Sequence, residues 1–214
     1  MMTGNTSEID RLLQQAGQGD VEGLGTLLAR HRERLRRMIA LRLDRRLQGR
    51  IDPSDVIQET YLEAATRLAE YLRNPSMPFF LWLRFLTTQK LVTLHRHHLG
   101  VQMRDPCQEV ALDHGLMPEA SSAALAAQLL GHDTRPSEAA IRAEMKARVR
   151  EALDRMDPLD REILALRHFE QLSRAEIARV FAISEAAAGK RYIRALERLK
   201  KDLSDIGGPE GLIP

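Results

Sequence analysis

QLSRAEIARVFAISEAAAGKRYIRALERLKK, residues 171–201, is the stretch whose reading decides the fold. It spells two helices with a tight joint. Ser173 is placed to cap the first, and Glu176, three residues on, completes a capping box ahead of an apolar run. Ile177, Ala178 and Phe181 supply the inner face, Ala182 and Ile183 the joint, and Ser184 a second cap opening a longer helix through Arg198. Small side chains at Ala178 and Ala188 let the two helices approach closely. This is the helix-turn-helix layout, whose second helix enters the DNA major groove. That helix carries Lys190, Arg191, Arg194, Arg198, Lys200 and Lys201 against one acid, Glu197. Such cations neutralise phosphates and can read guanine edges. A basic helix C-terminus also complements the macrodipole, so charge alone would be a weak signal.

Outward from this motif, 214 residues allow one or two domains. Net charge is only +2, so the chain is no generic polycation, and its charge comes in blocks. Aromatic residues are scarce at 4%, while Leu, Ala, Arg and Glu abound, which favours helix over strand. A single cysteine, Cys107, excludes an internal disulfide and a cysteine-based metal cluster. No secretion signal and no run long enough to span a bilayer stand out, so a soluble, cytoplasmic protein is expected.

In chain order, Ile9, Leu12, Leu13 and Ala16 recur at helical spacing up to Gly17 and Gly19. Asp20 caps a second helix expected to run to about Leu47, with nine arginines between Arg30 and Arg50. This density points to a polyanion or an acidic protein partner. Asp52 and Pro53 start a third helix, predicted to turn Val56, Ile57, Tyr61, Leu62, Ala65, Leu68 and Leu72 inward. Its outer face carries Asp55, Gln58, Glu59 and Glu63. After a break at residues 74–78, FFLWLRFLTTQKLVTLHRHH (79–98) is a very apolar helix with cations Arg84, Lys90 and Arg96 and no acid. Residues 100–136 read as a flexible linker holding at most a short Ala-rich helix at 121–130. Helix resumes at Pro136 and Ser137, with Ile141, Met145, Val149, Leu153 and Met156 in register, and again from Leu159 to Phe169. The expected architecture is all-α: a helix bundle at 8–99, the linker at 100–136, and a four-helix helix-turn-helix domain at 137–206.

Three separated stretches resemble one family. DPSDVIQETYLEAATRL (52–68) resembles the acidic helix with which sigma factors grip RNA polymerase. FFLWLRFLTTQKLVTLHR (79–96) resembles the helix that melts and reads the −10 edge of the transcription bubble. Residues 156–200 resemble the C-terminal unit that reads the −35 element. In order and spacing they resemble a bacterial sigma factor of the sigma-70 family, in its compact extracytoplasmic-function (ECF) class. The resemblance implies core polymerase contacts at Asp55, Gln58 and Glu59. It implies −10 strand contacts at Trp82, Gln89, Lys90 and Arg96, with Trp82 equally readable as a core residue and Gln89 standing where the class usually has Asn. It implies −35 contacts at Ser184, Glu185, Lys190, Arg191, Arg194 and Arg198. Gly189 replaces a usually polar contact residue there, and Ala182 replaces the glycine usual at the joint, a cost of about 1 kcal/mol if that position needs a positive φ.

The resemblance further implies core RNA polymerase and promoter DNA as partners, and it allows an anti-sigma factor. No cofactor, metal or enzymatic activity is expected. His95, His97 and His98 lack a second ligand cluster, and no Gly-rich phosphate loop or nucleophile–base set is present. The competing interpretation is an autonomous helix-turn-helix regulator with an N-terminal dimerisation or sensing bundle.

Overall fold

The computed structural model describes residues 3–99, 118–131 and 139–205. Nine α-helices carry these residues: α1 (Thr3–Gly17), α2 (Val21–Arg42), α3 (Pro53–Arg73), α4 (Phe79–Leu99), α5 (Ser122–Leu129), α6 (Ala139–Arg155), α7 (Pro158–Leu164), α8 (Arg174–Val180) and α9 (Glu185–Asp205). No strand occurs among the described residues, only an isolated bridge between Gln48 and Ile51. The chain divides into two compact units, the first holding α1 to α4 apart from Ala40–Arg42, the second holding α5 to α9. Cys107, the helix start expected at Pro136 and Ser137, and the end expected at 206 lie outside the described residues.

In the first unit the helix starts are written locally. The Asp20 carboxylate accepts from the Glu22 and Gly23 N–H groups, both at 3.0 Å, and opens α2. Asp52 accepts from Ser54 N–H at 2.7 Å with Pro53 in the first turn of α3. Helix α2 ends at Arg42, short of the expected Leu47, and its buried stripe is Leu27, Leu28, His31, Leu35, Met38 and Ile39. Helix α3 turns Val56, Ile57, Thr60, Ala64, Leu68 and Tyr71 inward. The expected inner face is corrected here, because Leu62 is 70% exposed and Ala65 is also exposed. The true stripe runs through 57, 60, 64, 68 and 71, a helical period that leaves position 62 on the opposite side.

Helix α4 is apolar nearly all round in its first half, and Phe79, Phe80, Leu81, Trp82, Leu83 and Leu86 are all buried. A helix apolar on every side is a core helix. Its seating is fixed by aromatic contacts: Trp82 stacks on Tyr71 at 4.6 Å, Phe79 lies 5.6 Å from Trp82, and the Arg34 guanidinium covers Phe80 at 3.4 Å. Two phenols tie the helices by their polar ends. Tyr61 donates to the Leu28 carbonyl at 2.5 Å and Tyr71 to the Met77 carbonyl at 2.9 Å.

In the second unit, the short Ala-rich helix allowed at 121–130 is present as α5. Ser121 caps it, Leu125 and Ala126 are buried, and it packs on α6. Asp157 and Pro158 start α7, whose first-turn N–H groups at Leu159 and Asp160 donate to the Asp157 carboxylate at 2.9 and 3.3 Å. The single helix expected from Leu159 to Phe169 is instead α7 followed by a π turn, Ala165–Phe169, closed by Glu170 N–H on the Ala165 carbonyl at 3.1 Å. The wider turn places Leu166, Phe169 and Leu172 in the core together.

The joint between α8 and α9 is a Schellman motif. Ile183 N–H reaches the Ala178 carbonyl at 2.9 Å and Ala182 N–H the Arg179 carbonyl at 3.2 Å. Ala182 sits at the left-handed position, φ 50°, where glycine is usual. Ala182→Gly is therefore expected to stabilise the second unit by about 1 kcal/mol, because it relieves a Cβ clash. Thermal melts of the two chains check this, and a Gly variant melting at or below the parent would remove the strain argument.

Candidate nucleic-acid interface

In the second unit the capping box predicted for α8 is present. Glu176 N–H donates to Ser173 Oγ at 3.1 Å, and Ser173 N–H returns to the Glu176 carboxylate at 2.7 Å. Ser184 Oγ accepts from Ala187 N–H at 3.2 Å and opens α9. Ala178 and Ala188 are both buried where α8 and α9 meet. The pair is held close by small residues, while Ala195 turns the far part of α9 inward, where the helix packs on α6 and α7.

The cations of α9 then separate into two groups. Lys190, Arg194 and Lys201 are exposed, as are Ser184 and Glu185 at its start. Lys190 to Arg194 to Lys201 is one helix face, since steps of four and seven residues return to nearly the same direction. Arg191 and Arg198, seven apart, lie on the flank of this face, turned from it toward α7, with the Arg198 side chain still 59% exposed. Arg191 pairs with Asp160 at 3.0 Å and with Asp157 at 3.2 Å, and Arg198 pairs with the second Asp160 oxygen. Both expected contact residues are therefore paired with carboxylates of α7, Arg191 half-buried and Arg198 exposed. Gly189 has open space around its Cα, next to a small cleft lined by Arg167, Arg174, Ile177 and Tyr192. Sequence reasoning missed Arg174 and Arg167, exposed cations beside α9, because neither belongs to the basic run.

In the first unit the accessible part of α4 is its C-terminal half. Gln89 and Arg96 are half-buried and Thr93 and His97 exposed, at i, i+4, i+7 and i+8 on one face. Thr93, which sequence reasoning missed, keeps this face polar and donates to the Gln89 carbonyl at 2.9 Å. Lys90 points a quarter-turn away and pairs with Glu63 at 2.9 Å, which also pairs with Arg67 at 3.2 Å. Glu63 is thus a partner inside the unit and not a free outer-face acid. Trp82 is only 9% exposed and stacks on Tyr71, so it helps seat α4, as its core reading expects.

On α3, Asp55, Gln58 and Glu59 are exposed together. Leu62, misassigned inward by its neighbour Tyr61, completes this face at i+7 from Asp55 and gives it an apolar centre. His95 accepts a hydrogen bond from Asp44 N–H at 3.4 Å, and among the described residues no group of three potential ligands could hold a metal ion.

The Sigma-70, region 4 family matches residues 146–199, the span from α6 to α9. Over 206 residues the chain is 28% identical to the ECF RNA polymerase sigma factor SigD of Mycobacterium tuberculosis, covering 96% of this chain and 89% of that one. Along most of its length the chain is thus similar to ECF sigma factors. The RNA polymerase sigma-H factor of Pseudomonas aeruginosa is 24% identical, with 94% of this chain and 97% of that protein covered. The solved structure of CnrH in complex with the cytosolic domain of CnrY shares the fold, with a TM-score of 0.55, 24% identity, and 94% and 99% of the two chains covered. Sigma-70 family members are not generally enzymes. No helix among the described residues is long and apolar enough to cross a membrane.

Proposed function

We propose that the protein is a promoter-specificity subunit that docks on core RNA polymerase and directs transcription initiation at promoters with −35 and −10 elements. One observation carries this reading: beside two faces that carry cations, on α9 and α4, the chain has an exposed acidic face on α3. The Lys190–Arg194 face of α9 suits the −35 duplex, with Ser184 and Glu185 at its start. The Gln89, Thr93 and Arg96 face of α4 suits the melted −10 strand, with Lys90 beside it and Trp82 acting only by holding α4 in place. The acidic Asp55, Gln58 and Glu59 face suits a basic docking element of the polymerase. A self-sufficient regulator would have no use for an exposed acidic face centred on Leu62. The factor acts by binding, without chemistry of its own, in the cytoplasm where polymerase and DNA are. An anti-sigma factor would complete its partners, as CnrH was solved in complex with CnrY.

A mobility-shift series with promoter duplex, with and without core polymerase, tests the reading. A specific complex should form only with polymerase present. Lys190→Ala with Arg194→Ala should weaken that complex on the order of tenfold, two phosphate or base contacts being lost, while polymerase capture stays unchanged. Tight specific binding by the free chain would instead favour the autonomous regulator.

A further inference from the structure

Among the described residues of the second unit, Asp160 is the one carboxylate that is both almost fully buried, at 3% exposure, and shared by two cations of α9. Oδ1 accepts from Arg191 Nε at 3.0 Å and Oδ2 from Arg198 Nη1, so each oxygen holds a different guanidinium. Asp157, the N-cap of α7, accepts a further bond from Arg191 Nη2 at 3.2 Å. The two arginines lie seven residues apart, two turns along one side of α9, and each bond to a charged partner is of the strong, charge-assisted kind.

We propose that Asp160 is a positioning residue that withholds Arg191 and Arg198 from DNA, fixing the rotation of α9 and confining its phosphate and base contacts to the Lys190–Arg194 face. The inference rests on the reading of α9 as the DNA-contacting helix and sharpens it. The physical reason is an asymmetry in what each arginine would leave behind. Lys190 and Arg194 exchange water and counterions for a phosphate when they bind. Arg198, 59% exposed, holds Asp160 through Nη1 alone, and turning that nitrogen to a phosphate would leave a buried carboxylate short of a partner, the costly way to break an ion pair. A sequence showing six cations on one helix thus presents fewer of them to DNA. Fewer sequence-independent contacts leave a larger share of the binding to those that read bases.

The test uses the full chain assembled with core RNA polymerase and a promoter duplex recovered by sequencing its transcripts made in vitro. Affinity is followed between 50 and 200 mM salt, where each phosphate contact adds about 0.9 to the salt slope, roughly a 3.5-fold change over this range. Lys190→Ala should flatten the slope by about one contact. Arg198→Ala should leave it unchanged. Asp160→Asn, which keeps shape and one acceptor but frees Arg198, should steepen the slope by about one contact and narrow the gap between promoter and a scrambled duplex. A destabilised fold would weaken binding without steepening its salt dependence. Flattening by Arg198→Ala equal to that of Lys190→Ala would overturn the clamp while leaving the DNA role of α9 standing. If neither lysine nor arginine moved the slope, the DNA role itself would fail, and the clamp with it.

Discussion

Asp55→Arg should abolish capture of core RNA polymerase while leaving the protein folded. Asp55 is exposed in the first turn of α3, and its carboxylate joins no ion pair among the described residues. Within the fold the substitution places a cation at a helix N-terminus, which the dipole disfavours by about 0.5 kcal/mol. At the docking surface it reverses one of the two charges that flank Leu62. Like-charge juxtaposition in an interface costs several kcal/mol, here on the order of 3, or about two decades in Kd. The two magnitudes differ enough to separate the effects. Co-purification with polymerase should be lost while the thermal midpoint barely moves. Wild-type capture by the folded variant would show that this face of α3 is not the docking surface, and Leu62→Ala then offers an independent check of the same patch.

Acid should loosen the first unit well before its carboxylates titrate. His31 is buried against Phe79 and Phe80, with ring centroids 5.8 and 5.4 Å away, and its Nε2 has no hydrogen-bond partner. Burial, aided by the nearby Arg34 and Arg30 cations, pushes its pKa down to about 4. The folded value lies below the unfolded one of about 6.5, so the unfolded chain takes up the proton first. Stability from this group is therefore complete above pH 6.5 and is lost as pH falls from 6.5 towards 4. The loss reaches roughly 2 kcal/mol by pH 5 and about 3 kcal/mol at full titration. Asp44, held at about 2 by Arg46, contributes only at lower pH. The lone tryptophan, Trp82, sits in the same aromatic cluster and reports the unfolding of this unit by fluorescence. Denaturant midpoints should fall from pH 7.5 to 5 in the parent and fall less in His31→Phe by about that amount. Parallel loss in both chains would mean that His31 is not the acid-sensitive group.

What could be read from the sequence was what is local. The caps at Asp20, Asp52 and Ser173 act within three residues, so their chemistry is visible in the string. The Ala178–Ala188 approach and the left-handed position at Ala182 follow from motif spacing and were equally legible. Errors arose where a distant residue decides. Leu62 and Tyr61 are adjacent apolar residues, and only packing against α2, through the Tyr61 phenol on Leu28, tells which one turns in. Trp82 reads equally as surface or interior until Tyr71 is seen lying on its face. Arg191 and Arg198 look like free cations because Asp160 stands 31 and 38 residues upstream. Helix α5 could be read only as a short Ala-rich helix within the linker, and its packing on α6 with Leu125 buried was not visible in the string.

Helix α8 is bracketed by two non-glycine residues in left-handed conformation, Gln171 at φ 56° before it and Ala182 at φ 50° after it. Each such residue costs on the order of 1 kcal/mol, and the seven-residue helix between them is too short to hold itself together. Its order is therefore borrowed from Ile177, Ala178 and Val180 packed beneath it. Unwinding α8 would relax both strained ends at once, so transient opening of this helix would recover part of its cost. The long helix α9, anchored to α7 by its own arginines, can keep its place while its shorter companion breathes.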